Sequence, residues 1–196
     1  MKHLLSILLF AVIALAAPVS PKFRLSILYT EGEADGTPSV EYLGLKDGVA
    51  VITKDSSQTI IAVTFPSLLS FPLYQEKQRL TRPKYLDPDP RGMLYTDQKI
   101  PGYLFPTDDP SVYDFRFGGI PKIAGVLYTE FAFVERICQA CFPDKILAYS
   151  PPTDGSRYQG QFRAYKVGED WVVKFHTSKP RSTEGSVGID LVRQAT

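Results

Sequence analysis

The sequence predicts an all-β fold, a single antiparallel domain built as a β-trefoil-like barrel or a two-sheet β-sandwich, with at most one or two short helices. Three observations carry that expectation. Short runs of alternating apolar and polar residues recur at roughly 8 to 12 residue intervals. Asp35-Gly36, Asp47-Gly48, Gly118-Gly119 and Asp154-Gly155 punctuate the chain where tight turns are needed, in a sequence with no asparagine at all. Of the 16 prolines, eight fall between positions 66 and 110 and leave no room there for long helices.

Taken in order, Phe23, Leu25, Ile27 and Tyr29 alternate with Arg24, Ser26, Leu28 and Thr30, which predicts a strand with one clearly apolar face. A polar loop follows over 31–38. Residues 40–45 and 49–53 flank Lys46-Asp47-Gly48 and read as a hairpin, because Asp-Gly adopts the positive φ of a tight β-turn. The β-branched run 59–65 reads as a buried strand. Shorter strands are expected at 93–96, 103–105 and 112–117 within the proline-rich middle. Residues 126–134 also suit a strand, yet Phe131, Val134, Cys138 and Cys141 fall at helical spacing, so a short helix is the preferred reading over about 131–142, ending before Pro143. Strands at 158–167, 171–176 and 187–193 complete a set of about ten. No internal repeat is visible.

The first residues set the expected address. Met1-Lys2-His3, an apolar run over 4–16 interrupted by Ser6, and Ala14-Leu15-Ala16 form a basic, an apolar and a small-x-small region, which is the pattern of a secretory signal peptide. The run is too short for a membrane span, which needs about 20 apolar residues. Pro18 would obstruct cleavage after Ala17, so a signal peptide over 1–16 and one secreted β-rich domain over 17–196 are expected. With Lys2 removed, the 22 Lys and Arg fall to 21 against 21 Asp and Glu. That neutral balance supplies no global attraction to nucleic acid or to an anionic membrane.

Few residues offer chemistry. Cys138-Gln139-Ala140-Cys141 reads as a local structural disulfide, with buried thiols as the alternative. A redox role needs a thiolate stabilised at a helix N-terminus, whereas this pair would sit near a C-terminal end. Zinc needs three or four ligands, and beyond the two cysteines the secreted chain has only His176, so no metal and no cofactor is expected. Asp87, Asp89, Asp108 and Asp109 lie beside prolines and read as turn-makers rather than calcium ligands. Lys77, Arg79, Arg82, Lys84 and Arg91 read as a solvated basic stretch balanced by Glu76, Asp87 and Asp89. His176 is the one imidazole base for a small hydrolase, without a Gly-x-Ser-x-Gly elbow, and it reads as a surface or rim histidine. The 12% aromatic content is mostly core, yet Tyr103, Tyr158 and Trp171 are candidates for a stacking surface toward sugar rings or a partner protein.

Two groups of segments carry a resemblance. They are Phe23-Arg24-Leu25-Ser26-Ile27 with Tyr42-Leu43-Gly44-Leu45-Lys46-Asp47-Gly48-Val49-Ala50 near the start, and Trp171-Val172-Val173-Lys174-Phe175, Lys179-Pro180 and Val187-Gly188-Ile189-Asp190-Leu191-Val192-Arg193 at the end. In them the chain resembles small secreted proteins of filamentous fungi that have no assigned activity. The resemblance implies a secreted all-β domain and carries no catalytic residue. Two function classes follow: a non-enzymatic binding protein, cell-wall-associated or a host-directed effector, meeting an extracellular polysaccharide or a host protein; and, as the alternative, a small secreted hydrolase using His176.

Overall fold

A computed structural model describes residues 22–30, 41–66, 91–135, 145–150, 160–178 and 185–196. Its strands are β1 (Phe23–Tyr29), β2 (Tyr42–Lys46), β3 (Val49–Thr53), β4 (Ile61–Pro66), β5 (Gly92–Thr96), β6 (Gly102–Pro106), β7 (Val112–Phe117), β8 (Phe131–Glu135), β9 (Lys145–Tyr149), β10 (Gln161–Val167), β11 (Asp170–His176) and β12 (Ser186–Ala195). All the strand pairings are antiparallel and belong to one sheet. A single turn of 3-10 helix, Ser56–Gln58, is the only helical piece among the described residues. Asp55 caps it, its Oδ1 accepting from the Ser57 amide at 2.8 Å.

The pairing pattern chooses between the two expected architectures. Strands β1, β4, β5, β8, β9 and β12 form a closed ring, through Phe23↔Ala62, Val63↔Tyr95, Gly92↔Phe131, Phe133↔Leu147, Ile146↔Val192 and back through Ile27↔Leu191. The remaining strands are three hairpins, β2–β3, β6–β7 and β10–β11. Their second strands pair with one another, by Val49↔Arg116, Val51↔Val172 and Lys174↔Asp114. A six-stranded barrel with three mutually paired hairpins is a β-trefoil, and the closed ring excludes the sandwich, which keeps two separate sheets.

Each trefoil unit repeats one contact. The second strand meets the fourth or the residues just before it: the Ile60 amide donates to Leu43 C=O at 3.0 Å, Leu104 and Leu127 exchange bonds at 2.8 and 3.1 Å, and Phe162 pairs with Ile189 of β12. Leu43, Leu104 and Phe162 are thus equivalent, as are their hairpin partners Ile52, Phe115 and Phe175. These positions share apolar character only, which is why no repeat is visible in the sequence. All six lie in or against one core with Phe23, Leu25, Leu94, Phe131 and Leu191.

The expected hairpin forms as read, with Asp47 at φ 51° and Gly48 at φ 78°. Gly44 of β2 is a close-approach glycine: a Cβ there would lie 2.7 Å from Thr53 Cγ2 and 3.2 Å from Gln58 C=O. Gly44→Ala is expected to destabilise the protein by about 1–3 kcal/mol through that overlap, read as a lower urea midpoint at unchanged m-value.

The expected helix needs correction. The helix over 131–142 is not formed in its described part, because residues 131–135 are strand β8, paired along its length with β9. Phe131 and Phe133 are buried on one face, and Ala132 and Val134 on the other. Burial on both faces erases the alternation that marks a strand, so the apolar spacing imitates a helix. The same effect hides β9, where Leu147, Ala148 and Tyr149 are consecutive and all buried. The rest of that helix, with Cys138 and Cys141, lies outside the described residues.

Candidate functional site

Strand β11 ends at His176. Its pairing with β10 sets Gln161 opposite His176, Arg163 opposite Lys174 and Tyr165 opposite Val172, while on its other edge Lys174 and His176 meet Asp114 and Val112 of β7. Directly paired residues share a face. One face of these three strands therefore collects Arg163, Tyr165, Lys174, His176 and Asp114, and the opposite face sends Phe115, Phe162, Val173 and Phe175 into the core.

This polar face is closed rather than open. Arg163 is 0% and His176 3% exposed. The Tyr165 hydroxyl lies 2.8 Å from His176 Nε2, and the two rings are parallel within 6°, with centroids 5.9 Å apart. Arg163 Nε donates to Ser186 Oγ at 3.0 Å, and its terminal nitrogens donate to Gln161 Oε1 and Ser186 C=O, each at 3.3 Å. Asp114 accepts from Arg116 at 2.7 Å and faces Lys174 Nζ at 3.0 Å. Burial pushes the Asp114 carboxyl up, but the hydrogen bonds from Arg116 and Lys174 outweigh it and hold the group below the usual carboxylate range. Burial lowers His176 below the ordinary imidazole value, and the Arg163 and Lys174 cations add to that against the pull of Asp109.

The other sequence-predicted residues separate. His176, read as a rim residue, is enclosed, so it cannot present Nε2 to a substrate in solvent while Tyr165 holds that nitrogen. Tyr103 is not on a loop: it lies in β6 and is buried. Trp171 is half-buried against the core. Tyr158, Cys138 and Cys141 lie outside the described residues, as do Asp87, Asp89 and the basic stretch except Arg91, which pairs with Glu130 at 3.0 Å. Asp109 makes a turn, its Oδ1 accepting from the Ser111 amide at 2.8 Å. Among the described residues, no group of three or more His, Cys, Asp or Glu side chains is arranged to hold a metal ion.

What sequence reasoning missed is a surface. Between β7 and β8 the chain runs Gly118-Gly119-Ile120-Pro121-Lys122-Ile123-Ala124-Gly125-Val126, with one charge in nine residues. Ile123 is 52% exposed, Lys122 and Ala124 are exposed, and Ile120, Pro121 and Val126 are partly so. Backbone bonds fix both ends to the scaffold: the Gly118 amide donates to Pro101 C=O at 3.0 Å, and Leu127 is bound to Leu104. The available signal was a loop with two Gly boundaries and almost no polar turn residues inside it.

Fold and site together define a β-trefoil with a closed polar seam and a largely apolar surface segment. No family model matches the chain, and neither a curated protein nor a solved structure matches it. No helix among the described residues is long and apolar enough to cross a membrane.

Proposed function

We propose that the protein is a secreted, non-enzymatic recognition protein, and that its partner is another protein bound through the segment 118–126. The observation that carries this reading is that a stretch of nine residues, anchored at both ends by backbone hydrogen bonds, turns Ile123 and its apolar neighbours toward solvent. A contiguous apolar surface is what a protein interface desolvates at its centre. The apolar side chains exposed there are aliphatic, and the large apolar side chains well exposed among the described residues are Ile123 and Val167. Sugar rings stack on exposed aromatic faces, so this surface favours a protein over a polysaccharide. Lys122, the segment's one charge, calls for a carboxylate beside an apolar hollow on the partner. The enclosure of His176 counts against the hydrolase alternative. With the likeness to small secreted fungal proteins, the reading becomes a host-directed effector rather than a cell-wall component.

The test incubates the full mature protein with insoluble glucan or chitin and, separately, with immobilised host-tissue proteins. The expected result is retention on one host protein and none on the polysaccharides. Retention on glucan or chitin alone would replace this reading with the cell-wall one, and hydrolysis that disappears in His176→Gln would replace it with the enzyme.

A further inference from the structure

We propose that His176 is an acid-sensitive latch: neutral, it closes the seam where β11 meets both β10 and β7, and protonation at mildly acidic pH loosens that seam. The argument starts from its place in the fold. His176 is the last residue of β11 and pairs with Gln161 on one side and Val112 on the other, and beyond it the Thr177 amide donates to Ser111 C=O at 3.0 Å. One residue thus fastens two hairpins of the trefoil together.

Its surroundings accept a neutral ring and resist a charged one. From β10 it faces Tyr165, whose hydroxyl lies 2.8 Å from Nε2, and the cation of Arg163; its own strand puts Lys174 on the same face; β7 sets Val112 opposite it and Asp114 opposite Lys174; and the turn before β7 carries the carboxylate of Asp109. Asp114 is already shared by Arg116 at 2.7 Å and Lys174 at 3.0 Å, and Asp109 Oδ1 is bound by the Ser111 amide and hydroxyl at 2.8 and 2.7 Å. Among the described residues, Asp114 is thus already shared by two cations, and the pull of Asp109 toward a charged ring is smaller than the opposing effects of burial and of Arg163. A proton added to the ring places a third cation beside Arg163 and Lys174 at a site only 3% exposed. The Tyr165 bond does not offset this, since its hydroxyl can also donate to a neutral Nε2.

The sign follows from linkage. The imidazole titrates lower in the folded protein than in the unfolded chain, so the unfolded chain takes up the proton first as pH falls. The stability that His176 contributes is complete above the unfolded imidazole value of about 6.5 and is lost as pH falls from there toward the folded value. Within that window the equilibrium between closed and open seam shifts toward the open form by up to about tenfold per pH unit.

The experiment has three readings on the full chain. Proton NMR follows the His176 imidazole, identified by its absence in His176→Gln, and should place its midpoint below that of an ordinary histidine. Urea midpoints at pH 7.5 and pH 5.0 should fall for the wild type by more than for His176→Gln. Amide exchange, corrected for intrinsic rates, should lose protection at Val112, Asp114, Lys174 and His176 at pH 5.0, while the β1–β12 pairing keeps its own. If His176→Gln does not fold, the wild-type imidazole and exchange readings stand alone, and Tyr165→Phe serves as the second variant, expected to weaken seam protection already at pH 7.5. An imidazole that titrates at or above its ordinary value, or equal acid responses in wild type and His176→Gln, overturns the latch.

Discussion

Phe115→Ala is expected to lower the unfolding free energy by about 3–5 kcal/mol, enough to remove much of the stability of an ordinary domain. Phe115 is fully buried, and its ring lies 5.0 Å from Phe117, 5.5 Å from Phe162 and 5.8 Å from Phe131, centroid to centroid. Those partners come from β7, β10 and β8, so the ring joins the second trefoil unit to the third and the hairpins to the barrel. Truncation loses the transfer of an aromatic side chain and leaves a cavity whose lining is itself pinned by pairing: Phe162 by β11 and β12, Phe131 by β9. A lining that cannot collapse puts the substitution at the upper end of its class. The measurement is the urea midpoint, which should fall at unchanged m-value, and a loss under about 1 kcal/mol would mean that the hub repacks freely.

Arg163→Met is expected to destabilise by about 3 kcal/mol, because it removes a buried cation whose acceptors stay behind. The guanidinium is fully buried and donates to Ser186 Oγ, Ser186 C=O and Gln161 Oε1. Met keeps the length of the aliphatic stem, so the comparison isolates the charged hydrogen bonds from the packing. Replacing a whole buried polar group with apolar residues can be neutral, but replacing one member strands the rest. Thermal unfolding should shift down by several degrees, and an unchanged or higher midpoint would show that those acceptors find other donors.

Much of the fold was legible because one-sided burial writes itself into sequence. In β1, Phe23 and Leu25 are fully buried and the intervening Arg24 only partly so, and the alternation of residue types along it marks the strand. Asp47-Gly48 located the first hairpin for the stereochemical reason that it forms. Strand β8 ranked second to a helix and β9 left no strand signal, because both are buried on both faces and their apolar runs carry no period of two. Threefold architecture was invisible because Leu43, Leu104 and Phe162 need only be apolar and of workable size to occupy equivalent places.

The site was less legible than the fold. A histidine at the end of a strand looks exposed in sequence, since nothing local reveals that Tyr165, eleven positions earlier, lies against its ring. Tyr103 and Trp171 looked like parts of a stacking surface, yet Tyr103 is buried and Trp171 packs on the core, because a trefoil's closed ring and three hairpins together enclose a large interior. Ile123 drew no notice because single apolar residues in loops are common. Only its neighbours and their anchoring make it a surface.

Recognition of a protein through segment 118–126 is tested most directly by a binding titration against the host protein recovered with the wild-type chain. The comparison is between wild type, Ile123→Asp, and Val167→Asp as a control at an exposed aliphatic residue outside the segment. An aspartate at 123 would have to be desolvated at the centre of the contact, so Ile123→Asp should weaken the dissociation constant by about tenfold or more, with its urea midpoint unchanged and Val167→Asp binding as the wild type does. Equal affinity of Ile123→Asp and the wild type would contradict the account.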